Sequence, residues 1–172
     1  ISADIDKKYL QNKSIVSFMA GISIKKIQKL LFNDIAVIRA MPSIAIANGN
    51  GIIGHTKTIK NDEFVVEKIF KNLGFSILIE EKDIEKITAL SACGLGFAAY
   101  IINCFVKAGI NLGFNEDISN KIITQTFKNV LQISDYSQTV YKVATKGGAT
   151  VKGIESFEQN GIKKIIYDAF EK

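Results

Sequence analysis

The 172-residue chain holds two cysteines, one proline, one histidine and a single arginine. Each scarcity excludes something. Cys93 and Cys104 stand eleven residues apart in an apolar stretch and form neither a C-x-x-C pair nor part of a His/Cys cluster, which excludes a structural zinc site, and no other metal site is expected. Thiols in such a segment pack as small apolar groups, so both are expected to be reduced and buried in a cytoplasmic protein. His55 has no acid or nucleophile next to it in sequence, so a triad is not expected and a solvent-facing loop histidine is. Arg39 is the only arginine among 22 basic residues, and the lysines are scattered. The net charge of +5 therefore describes a lysine-coated surface, and nucleic-acid binding, which calls for clustered cations with arginine or exposed aromatics, is not expected. Residues 1–13 are polar and charged, without the apolar core of an export signal.

At 47% hydrophobic and 23% charged residues, the composition is that of a folded soluble chain of one domain, or one domain plus a fragment. One run is unusual. Lys86 and Lys107 bracket 20 uncharged residues, a span about long enough to cross a bilayer. It contains Thr88, Ser91, Gly94, Gly96 and Asn103 and lacks flanking aromatic belts, so a helix buried on all sides in a bundle or dimer interface is expected, with no membrane partner.

Residues 14–19 form a β-branched apolar run, Ala20-Gly21 turns the chain, and Ser23 is a candidate N-cap for a helix over 24–32. A second apolar run, 35–40, ends at Met41-Pro42, where proline cannot donate to a continuing ladder. Together these predict a β-α-β unit. Two parallel strands do not make a stable sheet alone, so the remainder of that sheet is expected to lie outside this sequence. From Asn61 onward the period becomes helical: Val65, Val66, Ile69, Phe70 and Leu73 line one face, and Gly74 stops the helix. A short extended piece over 75–79 precedes a helix from about Lys82, bent near Gly94 and Gly96 and ended by Gly109 and Gly113. Asn115, followed by Glu116 and Asp117, starts another helix ending near Ser134, and two short ones cover 150–157 and 162–170. No internal repeat or low-complexity linker interrupts the chain.

Two glycine motifs invite a chemical reading. Gly49 to Gly54 spells G-x-G-x-x-G, but dinucleotide binding needs a strand before it, a helix after it and an acid about 20 residues later. Residues 55–60 lack helical patterning, so a turn-rich connection is expected. Lys146-Gly147-Gly148-Ala149-Thr150 places two glycines before a helix start and leaves backbone N–H groups exposed. That is either an anion or carboxylate site or a simple flexible N-cap.

In combination, Ser17-Phe18-Met19-Ala20-Gly21-Ile22, Ile38-Arg39-Ala40-Met41-Pro42, Thr88-Ala89-Leu90-Ser91 and the stretch 143–150 with its Gly147-Gly148 resemble pyrroline-5-carboxylate reductase. The likeness runs from Ser14 to the C-terminus. It implies reduction of 1-pyrroline-5-carboxylate to L-proline, in proline biosynthesis, by hydride transfer from NADPH or NADH. It also implies a Rossmann domain followed by a helical domain that intertwines with its twin, the small-molecule substrate lying between cofactor and helical domain. On this likeness residues 1–57 are the end of the Rossmann-like domain, an α/β remnant, and 58–172 an all-α dimerisation and substrate-binding domain, the whole mainly helical and forming a homodimer or higher oligomer. The chain is then expected to be truncated and inactive by itself, because the main cofactor-binding glycines would precede Ile1.

The family's site residues carry over unevenly. Ala20, Gly21, Met41 and Pro42 match positions at the nicotinamide end of the cofactor site, with Ser43 where the family has asparagine. Thr88 and Ser91 match the substrate loop, whose next residues, Gly-Ser-Gly-Pro-Ala in the family, are Ala92-Cys93-Gly94-Leu95-Gly96 here, and Cys93 is a weaker donor than serine. Thr145 to Thr150 stand where the family has Ser-Pro-Gly-Gly-Thr-Thr, so Gly147, Gly148, Ala149 and Thr150 keep the amide-rich carboxylate cradle. Glu81 matches an acid before the substrate helix, either a partner for the substrate nitrogen or an exposed helix-start glutamate. No catalytic acid is named, since an imine that arrives protonated needs none. Ser43, Cys93, Leu95 and Lys146 also suit an alternative, a non-catalytic paralogue serving as a helical dimer module.

Overall fold

The structure, a computed structural model, describes residues 7–10, 12–31, 35–57 and 63–171. Phe32, the expected end of the first helix, and residues 58–62 lie outside the described residues, as do the side chains of Val65 and Val66. The chain forms two compact units, residues 1–95 and 96–172.

The first unit is built on a four-stranded sheet in the order β1-β2-β3-β4. Strand β1 (Ser14–Ser17) pairs parallel with β2 (Ala36–Pro42), and helix α1 (Ile24–Leu30) connects them. Ser23 caps α1 as expected, its Oγ accepting the Lys26 N–H at 3.2 Å. Strand β2 is buried from Ala36 to Met41 because both faces are covered. Val37 packs with Ile27 of α1 and Ile35 on one side. Ile38 and Ala40 pack with Ile53 and Phe70 on the other.

Residues 49–54 are not a turn-rich connection throughout. Gly49 turns with φ +68°, and then Gly51–His55 form strand β3, antiparallel to β2 and parallel to β4 (Gly74–Leu78). Two glycines and a histidine are poor strand formers, so the sequence pattern hides a strand that pairing on both edges imposes. The glycines serve close packing instead. A side chain at Gly51 would strike Ile46, and one at Gly54 would lie 2.5 Å from Cγ2 of Ile87. His55 is accordingly buried, not in a solvent-facing loop, with its ring centroid 5.3 Å from that of Phe70 on α2 (Glu63–Lys71). Strands β3 and β4 thus extend the sheet beyond the β-α-β unit, and the first compact unit runs to Leu95.

A 3-10 turn (Glu81–Asp83) leads into α3 (Ile84–Thr88), a π-helical turn (Ala89–Cys93) and α4 (Gly94–Asn111). The distortion sits one turn before the expected glycines. Thr88 and Ser91 donate their hydroxyls to the carbonyls of Ile84 and Ile87, both at 2.7 Å, and such back-bonding bends a helix locally.

In the second unit α4 is followed by α5 (Glu116–Leu131), α6 (Tyr136–Val143), α7 (Ala149–Gln159) and α8 (Ile162–Glu171). Asn115 caps α5 as read, its Oδ1 accepting from the Ile118 N–H at 2.9 Å. Helix α6 is new, and its signal is Asp135 three residues before Gln138, whose N–H it caps at 2.9 Å. Gly109 sits inside α4, where a side chain would come within 2.9 Å of the buried Ser119 on α5. Phe97 meets Phe170 edge-on at 5.1 Å, and Phe105 meets Phe127 at 5.3 Å.

These contacts cover only part of α4. The helix is not buried on all sides: Val106 is its one buried residue, while Tyr100 is 71% exposed and both Cys93 and Cys104 lie at the surface. A single copy has too few neighbouring helices to enclose it. The continuous helical stretch Glu81–Asn111 is long and apolar enough to cross a membrane. Phe70→Ala should destabilise the first unit by about 3–5 kcal/mol, because its site cannot collapse between β2 and β3, and denaturant unfolding will measure it.

Candidate functional site

The first unit gathers polar groups where β1 and β2 end. In a parallel α/β arrangement ligands bind beyond the carboxyl ends of the strands. After β1 come the exposed Met19, Ala20 and Gly21, the last with φ +67° and no atom within 4 Å of where a Cβ would stand. After β2, Ser43 is buried: its N–H donates to the Ile52 carbonyl at 2.9 Å and its Oγ accepts from the Ile52 N–H at 3.1 Å. The serine thereby ties Met41-Pro42 to the start of β3.

Arg39, two residues before Met41, is the feature that sequence reading left unpartnered. Its side chain is 6% exposed, with Nη2 2.9 Å from Glu85 Oε1 and Nη1 3.6 Å from Glu81 Oε1. Glu81 Oε1 also accepts the Ile24 N–H, at the first turn of α1, at 2.7 Å. Glu81 is therefore neither a free helix-start carboxylate nor free to face a ligand alone. The signal was a lone arginine in an apolar strand, which demands acids, but its acids stand more than 40 residues downstream.

Thr88 and the buried Ser91 spend their hydroxyl protons on helix carbonyls and offer only oxygen lone pairs. Cys93 is exposed on the π-turn.

In the second unit, Gly147 turns with φ +76° and Gly148 is the extended N-cap of α7, with no side-chain hydrogen bond on the helix start. The N–H groups of Ala149, Thr150 and Val151 head the helix with no intrahelical acceptor, and the helix dipole adds partial positive charge there. An open cleft of about 680 Å³ lies alongside, lined by Tyr141, Lys146, Gly147, Val151, Lys152 and Glu155 among others. Two lysines and free amides favour an anion.

Comparison with known proteins decides the family. The family description "Pyrroline-5-carboxylate reductase dimerisation" matches residues 81–172, over half of the chain. The chain belongs to the pyrroline-5-carboxylate reductase family. A pyrroline-5-carboxylate reductase of Aquifex aeolicus is 28% identical over 99% of this chain and 68% of its own length. Pyrroline-5-carboxylate reductase 1 of Dictyostelium discoideum is 31% identical over 94% of this chain but 33% of its own length. The crystal structure of a Plasmodium falciparum pyrroline carboxylate reductase with NADP bound superposes with a TM-score of 0.86 at 28% identity, covering 96% of this chain and 68% of that one. The chain spans 61–68% of the length of three of these curated reductases. The mainly helical fold with its small sheet is the reductase fold.

At the head of α3 in this reductase-family chain, Lys86 Nζ donates to Asp83 Oδ1 at 2.6 Å. That hydrogen bond, helped by the charges of Lys86 and Lys82, holds the Asp83 carboxyl below its ordinary value. A depressed carboxylate contributes stability above its unfolded value and loses it as pH falls through the folded one. Lys86→Met should move the Asp83 titration upward, as read by carbon NMR of the carboxyl.

Proposed function

We propose that this chain carries the substrate-binding and dimer-forming part of a reductase that converts 1-pyrroline-5-carboxylate to L-proline with NADPH or NADH. The observation that carries the reading is the glycine-built, uncapped start of α7 inside the matched region 81–172. Ala149, Thr150 and Val151 would donate their N–H groups to the substrate carboxylate, with Lys146 and Lys152 raising the local positive potential.

The nicotinamide end of the cofactor fits the loops after β1 and β2. Gly21 leaves open space beside the backbone there, and Met41-Pro42 is fixed from behind by Ser43. When bound, the nicotinamide supplies the hydride that adds to the imine carbon. The chain's own contribution is positioning, which supplies most of the acceleration when the reacting atoms are held close and aligned. No residue here needs to act as a strong acid, because the imine can arrive protonated.

The exposed apolar face of α4 is read as a homodimer surface rather than a lipid-facing one, since the matched family description is of dimerisation. A cytoplasmic location, with Cys93 and Cys104 reduced, is part of the same proposal and rests on the two free thiols. The homodimer surface predicts a dimer by sedimentation at micromolar concentration; a monomer would remove the architecture.

Titration of the chain with L-proline, followed by NMR, tests the substrate assignment. Saturable shifts at 147–150 are expected, and Gly148→Val, which crowds Thr145 and covers the amides, should weaken binding at least tenfold while leaving the dimer intact. Absence of shifts at tens of millimolar L-proline, or binding undiminished by Gly148→Val, would sink the carboxylate cradle and leave a dimer module with an altered substrate loop.

A further inference from the structure

We propose that Arg39 is a positioning residue that anchors the start of the substrate helix to the loop after β1. The proposal rests on the functional reading above for the roles of those two segments, but its geometry is independent of that reading.

A charge in this position is costly. Arg39 stands in a strand whose other residues from 36 to 41 are buried and apolar, and its Nε, among the described residues, has no hydrogen-bond partner. Replacing a buried ion pair by packed apolar side chains is often neutral or stabilising, so stability alone does not account for a guanidinium here. What the group secures is a fixed distance. Its two terminal nitrogens face two carboxylates, Glu81 and Glu85, one helical turn apart on the same segment. Glu81 in turn holds the Ile24 N–H, so the fork reaches across Glu81 to the residue that follows Gly21-Ile22-Ser23. One side chain therefore sets the spacing between the loop read as meeting the nicotinamide and the helix that presents Thr88 and Ser91. Lysine has a single nitrogen and cannot span both acids in this way.

Amide hydrogen exchange of the 172-residue chain tests this without any ligand. Arg39 makes no hydrogen bond to Ile24 itself, yet Arg39→Met should release Glu81 and speed exchange of the Ile24 amide about tenfold, the loss expected for a charge-assisted hydrogen bond. The Gly21 and Thr88 amide shifts should move with it, while Ala40 and Ile53 keep their protection. Arg39→Lys should restore part of the Ile24 protection, and Glu85→Gln, a change near the surface, should reproduce part of the loss. Unchanged Ile24 exchange in Arg39→Met overturns the proposal. So does a parallel loss at Ile24, Ala40 and Ile53, which would make Arg39 a support of the sheet and nothing more. Should Arg39→Met not fold, Glu85→Gln decides by the same criteria. L-proline separates the two readings: if it fails to bind while Ile24 responds to Arg39→Met, the substrate assignment falls and the anchor stands, and the reverse pattern sinks the anchor alone.

Discussion

Everything in the first unit depends on strand β2 being paired on both edges and covered on both faces. Its parallel partner β1 and antiparallel partner β3 take up its backbone groups, and the two apolar clusters take up its alternating side chains. A strand so enclosed has no freedom to slip in register, because a shift of one residue would exchange its two faces and carry Arg39 into the Ile53 and Phe70 cluster. The register that buries the apolar residues is therefore also the register that aims the guanidinium at Glu81 and Glu85.

The G-x-G-x-x-G string shows how one set of residues can satisfy a motif and serve another end. In nucleotide-binding loops such glycines let backbone approach phosphate. Here they let backbone approach protein: Gly51 accommodates Ile46, and Gly54 accommodates Ile87 of α3. The requirement is the same, a missing Cβ, and the object admitted differs.

Local signals were legible in the sequence, and distant ones were not. Ser23 and Asn115 announced helix starts because a cap acts on amides two or three residues away. The β-α-β unit followed from two β-branched runs around one helical period. Strand β3 stayed hidden because its stability comes from partners on both sides rather than from its own residues. Arg39 showed itself as a lone arginine, but its acids lie 42 and 46 residues further on, beyond any periodicity. The exposure of α4 in a single copy, with Cys93 and Cys104, was not legible because composition reports how apolar a helix is and not whether its neighbours come from the same copy or a second one. At the α7 start, glycines at 147 and 148 were readable as backbone exposure, while the flanking Tyr141 and Lys152 came together only because the connection 144–148 turns the chain from α6 into α7.

The strands of the sheet lie side by side in the order in which they occur in the chain. No strand has to wait for a distant segment before it can pair, and each closure spans only the short connection to its predecessor, for which the chain-entropy cost grows slowly with length. A polypeptide leaving the ribosome can therefore lay down β1, β2, β3 and β4 in turn, with contacts that stay local in sequence and favour rapid folding. The long apolar helix emerges only after these four strands, so its exposed face meets solvent when the strands before it can already have paired.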